Sequence, residues 1–464
     1  MESFADLTLP ELARRFRDQS LSPAALAEHC AERHARYAET FGAYRAWNDE
    51  LAAEAGLAAD AFRRGLDLGP LQGIPVSVKD LYGVPGFRTY AGSPRALPEG
   101  WERPGPVIEA VRRQLAAVTG KTHTVEFAYG GLGTNPHWGA PRNPWATDEP
   151  RVPGGSSSGA GVSLVEGSAL LAFGTDTAGS VRIPASMTGT VGLKTTAGRW
   201  PLDGIVPLST TTDTPGILTR SVVDSAWAFR AIERGLGRTA AVPEIDVDGL
   251  RIGVPEDLFW DDCSPGVAEA VRQALSELEQ AGARLAAAEM AGLDEAFGYF
   301  RKGGLTTPEF YRFLREELPE WLESLDANVR QRTEAASQAP AWEYLQLRHR
   351  LTELGRQAEA LFERLDVLAV PTVAITPPTL AELEPEGAYP RINMLALRNT
   401  SIASMFGLCA LSLPAGLDRA GMPVGLMLMA APRAEEKLMA IGMAVERCLG
   451  AAYQRLGRAP MLRD

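Results

Sequence analysis

Cysteine and histidine are scarce: the 464 residues include only 4 and 5 of them. Cys30, Cys263, Cys409 and Cys448 stand far apart and form no C-x-x-C pair, which excludes a disulfide scaffold and a zinc ribbon. His29, His34, His123, His137 and His349 supply no H-E-x-x-H or H-x-x-x-H pattern, so no metal site is expected. Basic excess is missing too. With 46 Lys and Arg against 58 Asp and Glu, the net charge is −12, a poor basis for gripping phosphates, and nucleic acid is not an expected partner. No apolar run approaches the ~20 residues that span a bilayer. The stretch Met1–Phe16 lacks the basic-then-apolar layout of a secretion signal. The expectation is a cytoplasmic protein with no membrane partner. Apolar residues at 45% and charged residues at 22% exclude general disorder. Glycine is in excess, 46 of 464, against an average of roughly 7%.

Residues up to about 65 read as helical. Thr8-Leu9-Pro10-Glu11 fits a capping box, and Ser22-Pro23 an N-cap with proline at the first helical position. Gly73 to Asp80 is a short apolar run bounded by glycine, hence a buried strand. A helix is expected near Val107–Ala117, then a turn-rich stretch from Gly130 to Gly161. Gly161 to Ala172 reads as either a buried helix or a strand. Arg251–Pro255, Val367–Pro371, Ala410–Pro414 and Val424–Leu428 read as strands. Val267, Val271, Leu275 and Leu278 share one helix face after Ser264-Pro265, and a last helix lies near Glu435–Leu449. Strands alternating with helices imply a layered α/β core.

Three segments carry candidate chemistry. Lys79 ends an otherwise apolar strand. Burial there would favour its neutral amine and make it a usable base, while a tip lysine reaching solvent or pairing with Asp80 stays open. The run Pro153 to Gly161 holds Ser156, Ser157 and Ser158. It lacks the Gly-Lys-Ser/Thr of a P-loop, and Gly120-Lys121-Thr122 has Leu115 where that motif needs its first glycine. The run does contain G-x-S-x-G centred on Ser157, the pattern of an α/β-hydrolase elbow, for which His349 is the one downstream histidine. In the third segment, Gly174 to Pro184, the small residues Ala178 and Gly179 precede Ser180 and allow backbone N–H groups close to a ligand, as an oxyanion hole requires. Asp176 and Arg182 flank the serine and could pair.

Together, residues 73–80, 154–159 and 174–184 resemble the amidase signature family of hydrolases, with Ser156 and Ser180 at the family spacing. Weaker matches at Thr134–Pro136, Asn143–Trp145, Val191–Lys194, Asp213–Gly216 and Pro423–Leu426 extend the resemblance over about 65–450. The resemblance implies a large mixed β-sheet core covered by helices on both faces. It implies a single domain over 1–464: N-terminal helices 1–65, a signature core of about 66–255, a variable helical cover of about 290–365, and C-terminal strands and helix 366–450. It implies a Ser–cis-Ser–Lys triad with Ser180 as nucleophile, Ser156 as bridging serine on a cis peptide bond and Lys79 as base. The oxyanion hole maps to the backbone of Thr177, Ala178, Gly179 and Ser180, with Ser157, Asp176 and Arg182 in support. No metal or organic cofactor is implied. Ala178 stands where many members have glycine, which narrows the expected pocket. Ser404 stands where the family often has asparagine.

The expected reaction is hydrolysis of C–N bonds of small amides through a serine acyl-enzyme, extending to aryl amides, esters and carbamates (urethanes). The expected partner is thus a small-molecule amide or carbamate substrate; oligomeric state is not legible. One alternative is the glutaminase subunit of a tRNA-dependent amidotransferase, which shares the triad. Another is an esterase using the Ser157 elbow. The expected pocket walls are 125–145, 290–350 and 376–395, and Phe127, Tyr129 and Trp138 are either pocket or core.

Overall fold

The computed structural model describes residues 7–335 and 340–462. One mixed sheet of eleven strands organises them. The strands are β1 (Tyr44–Trp47), β2 (Pro75–Lys79), β3 (Ala117–Thr122), β4 (Leu171–Asp176), β5 (Val191–Lys194), β6 (Thr214–Thr219), β7 (Arg251–Pro255), β8 (Arg284–Ala288), β9 (Val367–Pro371), β10 (Cys409–Leu417) and β11 (Pro423–Ala430). Their order across the sheet is β1-β3-β2-β4-β6-β5-β10-β11-β9-β7-β8. β2 runs parallel to both β3 and β4, and β7 to both β8 and β9. The remaining neighbours are antiparallel.

Helices cover both faces, as side-chain alternation in the central strands demands. Leu426 and Leu428 of β11 join a cluster with Leu438 and Ile441 of the helix Glu435–Leu449. Met427 and Met429, one residue out of phase, join Ile402 and Ala403 of the helix Ala388–Met405 on the opposite face. Every residue of β2, β4, β5 and β6 is buried.

Most expected elements recur with shifted ends. Thr8 Oγ1 caps the helix Leu9–Arg17 by accepting from the Glu11 N–H, and Ser22 caps Pro23–Phe41. The stretch 161–172 is both things in succession: the helix Ser158–Glu166 ends at Gly167, and β4 begins at Leu171. The helix expected near 107–117 spans only Pro106–Arg112, and β3 follows it. β1, β3, β5, β6 and β8 have no strand counterpart in the sequence reading. β1 and β5 have four residues each, β6 is broken by Pro215 and Gly216, and β8 is a largely exposed edge strand rich in alanine, so none shows a period-2 apolar pattern.

Among the described residues no helix is long and apolar enough to cross a membrane. Nor does any group of three or more His, Cys, Asp or Glu stand where it could hold a metal ion.

Candidate active site

The parallel pairing of β2 with β4 brings two strand ends together. Val78 registers against Phe173, so Lys79 at the tip of β2 lies beside the last residues of β4. Lys79 is fully buried, and its Nζ donates to Ser156 Oγ at 2.7 Å and to Thr175 Oγ1 at 2.8 Å. Burial lowers its pKa to about 7, against the opposing pull of Asp213 and Asp176. Two other lysines are as deeply buried, and they differ in partner. Lys121 faces the Asp80 carboxylate at 2.9 Å, and Lys194 donates to the carbonyls of Thr195 and Leu408. The burial of Lys79 closes its solvent-reaching reading, and the pairing of Asp80 with Lys121 closes the Asp80-paired one.

Ser156 lies in the loop that leads into the helix Ser158–Glu166, and the Gly155–Ser156 peptide is cis. Ser157 lies deeper. Its N–H donates to the Ser180 carbonyl at 3.2 Å and its hydroxyl to the Thr175 carbonyl at 3.4 Å, which ties the two serine loops together. Ser157 is fully buried, whereas His349 is exposed on the helix Ala341–Glu359, so the structure does not assemble the elbow arrangement.

Ser180 sits in the turn between β4 and the helix Arg182–Thr188. Asp176 shapes that turn. Its carboxylate accepts from the N–H groups of Gly179 (2.7 Å), Val181 (3.2 Å) and Arg182 (3.4 Å), and from Arg182 Nε (3.0 Å) and Nη2 (2.8 Å). Arg182 in turn donates to the Thr400 carbonyl and to Ser404 Oγ, which couples the turn to the helix Ala388–Met405. Ser404 therefore has a supporting contact that its mismatch to the family pattern did not suggest. Burial alone would raise the Asp176 pKa, but the Arg182 charge and hydrogen bonds outweigh it and hold the carboxyl below its usual range. The stabilisation is thus present above the ordinary aspartate range and is lost as pH falls through the lowered pKa. Replacing Asp176 by alanine strands a buried guanidinium. The expected loss is about 3–5 kcal/mol of folding stability, read by urea unfolding at neutral pH; a loss under about 1 kcal/mol would contradict the account of the turn.

Gly179 has φ +139°, and a Cβ there would stand 2.1 Å from Thr400 Oγ1, so the turn admits glycine alone. Of the four amides that the resemblance gives to the oxyanion hole, that of Gly179 is donated to Asp176. Among the described residues the N–H groups of Ala178 and Ser180 have no acceptor. Thr177 Oγ1 donates to Asp213 Oδ1 at 2.5 Å. Asp213 also accepts from the N–H groups of Leu208 and Ser209, and burial raises its pKa to about 6.

Ser180, Thr177 and Ala178 face a narrow cavity, about 20 Å³ of which admits water. Ala128, Tyr129, Gly130, Leu208, Phe300, Gly303, Thr306, Arg332 and Leu397 complete its wall. The expected wall segments 125–145 and 290–350 contribute, while 376–395 lies along a separate groove. Of the three aromatics in question only Tyr129 lines the cavity. Phe127 packs on Phe310 in the core, and Trp138 holds the Arg45 guanidinium over its ring and meets Tyr90 edge-on.

This architecture has known counterparts. A family model described as Amidase matches residues 25–439. The chain is 52% identical over 454 residues to the 2-amino-5-chloromuconic acid deaminase of Comamonas testosteroni, covering 98% of each. It is 34% identical over 446 residues to a glutamyl-tRNA(Gln) amidotransferase chain of Moorella thermoacetica, covering 87% of this chain and 89% of that one. A crystal structure of an amidase superposes with a TM-score of 0.86 at 29% identity, over 96% of this chain and 100% of the other.

Proposed function

The chain belongs to the amidase family, hydrolases of C–N bonds, and from that premise we propose that Ser180 is its nucleophile, Ser156 the proton bridge and Lys79 the base. One observation carries the reading: Lys79 Nζ stands 2.7 Å from Ser156 Oγ, fully buried, with its pKa lowered to about 7. The amine is then half neutral at neutral pH. A neutral Nζ accepts the Ser156 proton as Ser156 Oγ accepts that of Ser180. Ser180 Oγ adds to the trigonal carbon that bears nitrogen. The free N–H groups of Ala178 and Ser180 receive the developing oxyanion. The proton returns along the same relay to the nitrogen, the amine or ammonia departs, and water repeats the route to release the acid. One amide and one water thus give one acid and one amine. Gly179 and Asp176 hold the turn in shape, and Ser157 and Arg182 brace it.

A second substrate class is favoured by the 52% identity to a deaminase of an amino-substituted unsaturated acid. The imine tautomer of such an acid presents a C=N carbon. Water deprotonated by the same relay adds there, and ammonia leaves to give the keto acid. Both classes share the base and the requirement for a trigonal carbon.

The pH dependence of serine labelling tests the relay without a known substrate. The labelling rate with a neutral fluorophosphonate is expected to rise about tenfold per pH unit below pH 7 and to level above it, since only neutral Lys79 accepts the proton. A rate flat from pH 5 to 9 would remove Lys79 as the base. A panel of amides, carbamates, esters and glutamine, with product identification, then separates the free-standing hydrolase from the glutaminase of a larger complex.

A further inference from the structure

Two helices divide their side chains between the cavity beside Ser180 and a second recess. On the helix Ala388–Met405, Leu397 lines the cavity, and its neighbour Arg398 lines a separate groove of about 1260 Å³. The helix Leu293–Arg301 repeats the division, with Phe300 in the cavity wall and Arg301 in the groove wall. The two recesses share no lining residue.

The groove joins apolar and cationic surface. Phe297, Ile375, Ile392 and Met394 line it half-buried. Arg398 is only 3% exposed. Its Nη2 donates to the Asp261 carbonyl at 2.5 Å and its Nε to Asn399 Oδ1 at 3.2 Å, while among the described residues Nη1 has no acceptor. Both partners are neutral oxygens. Burial pulls the Arg398 pKa below the ordinary arginine value, against the opposing pull of Cys263, Asp261 and Asp262. Arg301 and Arg391 line the same groove, exposed, and among the described residues neither has a carboxylate at ion-pair distance. Asp261, Asp262 and Asp294 line it too, exposed and paired with none of these three guanidiniums. Arg151 differs: it donates to the Pro377 carbonyl and lies 3.8 Å from Glu382.

A buried guanidinium bonded only to neutral oxygens is a desolvated charge without its counter-charge, an arrangement that a bound anion completes. A carboxylate at Nη1 makes a charge-assisted bond, and the unpaired charges of Arg301 and Arg391 add to the attraction. The apolar side chains favour a ligand with rings or a hydrocarbon body. We propose that this groove binds an organic anion with an apolar body, such as an aromatic carboxylate, at a site separate from the catalytic cavity. The site stands whichever serine is the nucleophile.

Calorimetric titration near neutral pH tests it, with 2-naphthoate as the anion and 2-naphthalenemethanol as the neutral ring system of similar size. Both are added to the wild-type chain and to chain already treated with a fluorophosphonate, which blocks the cavity beside Ser180. 2-Naphthoate is expected to bind both forms equally, and the alcohol at least about tenfold more weakly. Arg398→Met should weaken 2-naphthoate about 30-fold. The double variant Arg301→Met/Arg391→Met should weaken it about fivefold. Those two side chains are exposed and hold no ion pair among the described residues, so the double variant keeps the test decisive where Arg398→Met fails to fold. No binding of millimolar 2-naphthoate, equal binding of acid and alcohol, loss of binding after fluorophosphonate treatment, or parental affinity in the double variant would each overturn the proposal.

Discussion

Replacing Ser180 by alanine is expected to lower turnover by on the order of 10⁴- to 10⁶-fold, because removing a nucleophile that acts as one unit with its base removes nearly the whole chemical advantage. The fold should persist. Ser180 lies in a turn whose shape is set by the bonds from Gly179, Val181 and Arg182 to Asp176, none of which uses the Ser180 hydroxyl. Urea unfolding of the variant should therefore fall within about 1 kcal/mol of the parent, as for substitutions that break no buried network. Ser157→Ala is the matched control. Among the described residues its hydroxyl bonds only to the Thr175 carbonyl, so the variant should still label with a fluorophosphonate. Labelling lost in Ser157→Ala and kept in Ser180→Ala would restore the elbow reading.

Lys79→Met should separate activity from stability. Loss of the base is expected to cost about 10²- to 10⁴-fold in labelling rate and turnover. The effect on folding has the opposite sign. Lys79 is fully buried, among the described residues it has no carboxylate in hydrogen-bond contact, and its pKa falls from 10.5 to about 7. Between those values the unfolded chain holds the proton and the folded chain releases it, so this residue makes stability rise with pH across that window. Below pH 7 both states are protonated and the full penalty of a buried charge applies, on the order of a few kcal/mol. The methionine variant should consequently melt above the parent at pH 6. The gap should narrow toward pH 10.5. A variant less stable than the parent at pH 6 would mean that Lys79 is held by a stronger interaction than its two hydroxyl partners provide.

The site was legible in the sequence to the extent that its chemistry forces small or unusual residues into short segments. A lysine closing an apolar strand, three consecutive serines after two glycines, and Ala178-Gly179 before Ser180 are each improbable as surface or core, and the structure brings their side chains and turns into one place. Lys121 could not be told from Lys79 as a deep cation by pattern, because β3 reads Ala-Val-Thr-Gly-Lys-Thr and shows no run of apolar residues. The cavity wall was legible only as broad segments. Arg332 sits on a helix with no amphipathic pattern, where an arginine ordinarily reads as solvated surface. What places it in the cavity wall is the ring of Tyr129, about 200 residues earlier in the chain, and only tertiary packing reveals that contact. Trp138 stayed open for the converse reason: an aromatic in a turn-rich stretch fits a pocket wall or a packed surface equally, and only the structure gives it Arg45 as a partner.

The central claim is that Ser180 carries the substrate during turnover, and locating that adduct tests it most directly. Trypsin leaves residues 152–182 as one peptide that contains Ser156, Ser157, Ser158 and Ser180, so fragmentation must place the added mass. With an ester or amide that turns over, acid quench in the steady state should give the acyl mass on Ser180, absent from Ser180→Ala. The same mass on Ser156 or Ser157, or full turnover by Ser180→Ala, would contradict the account.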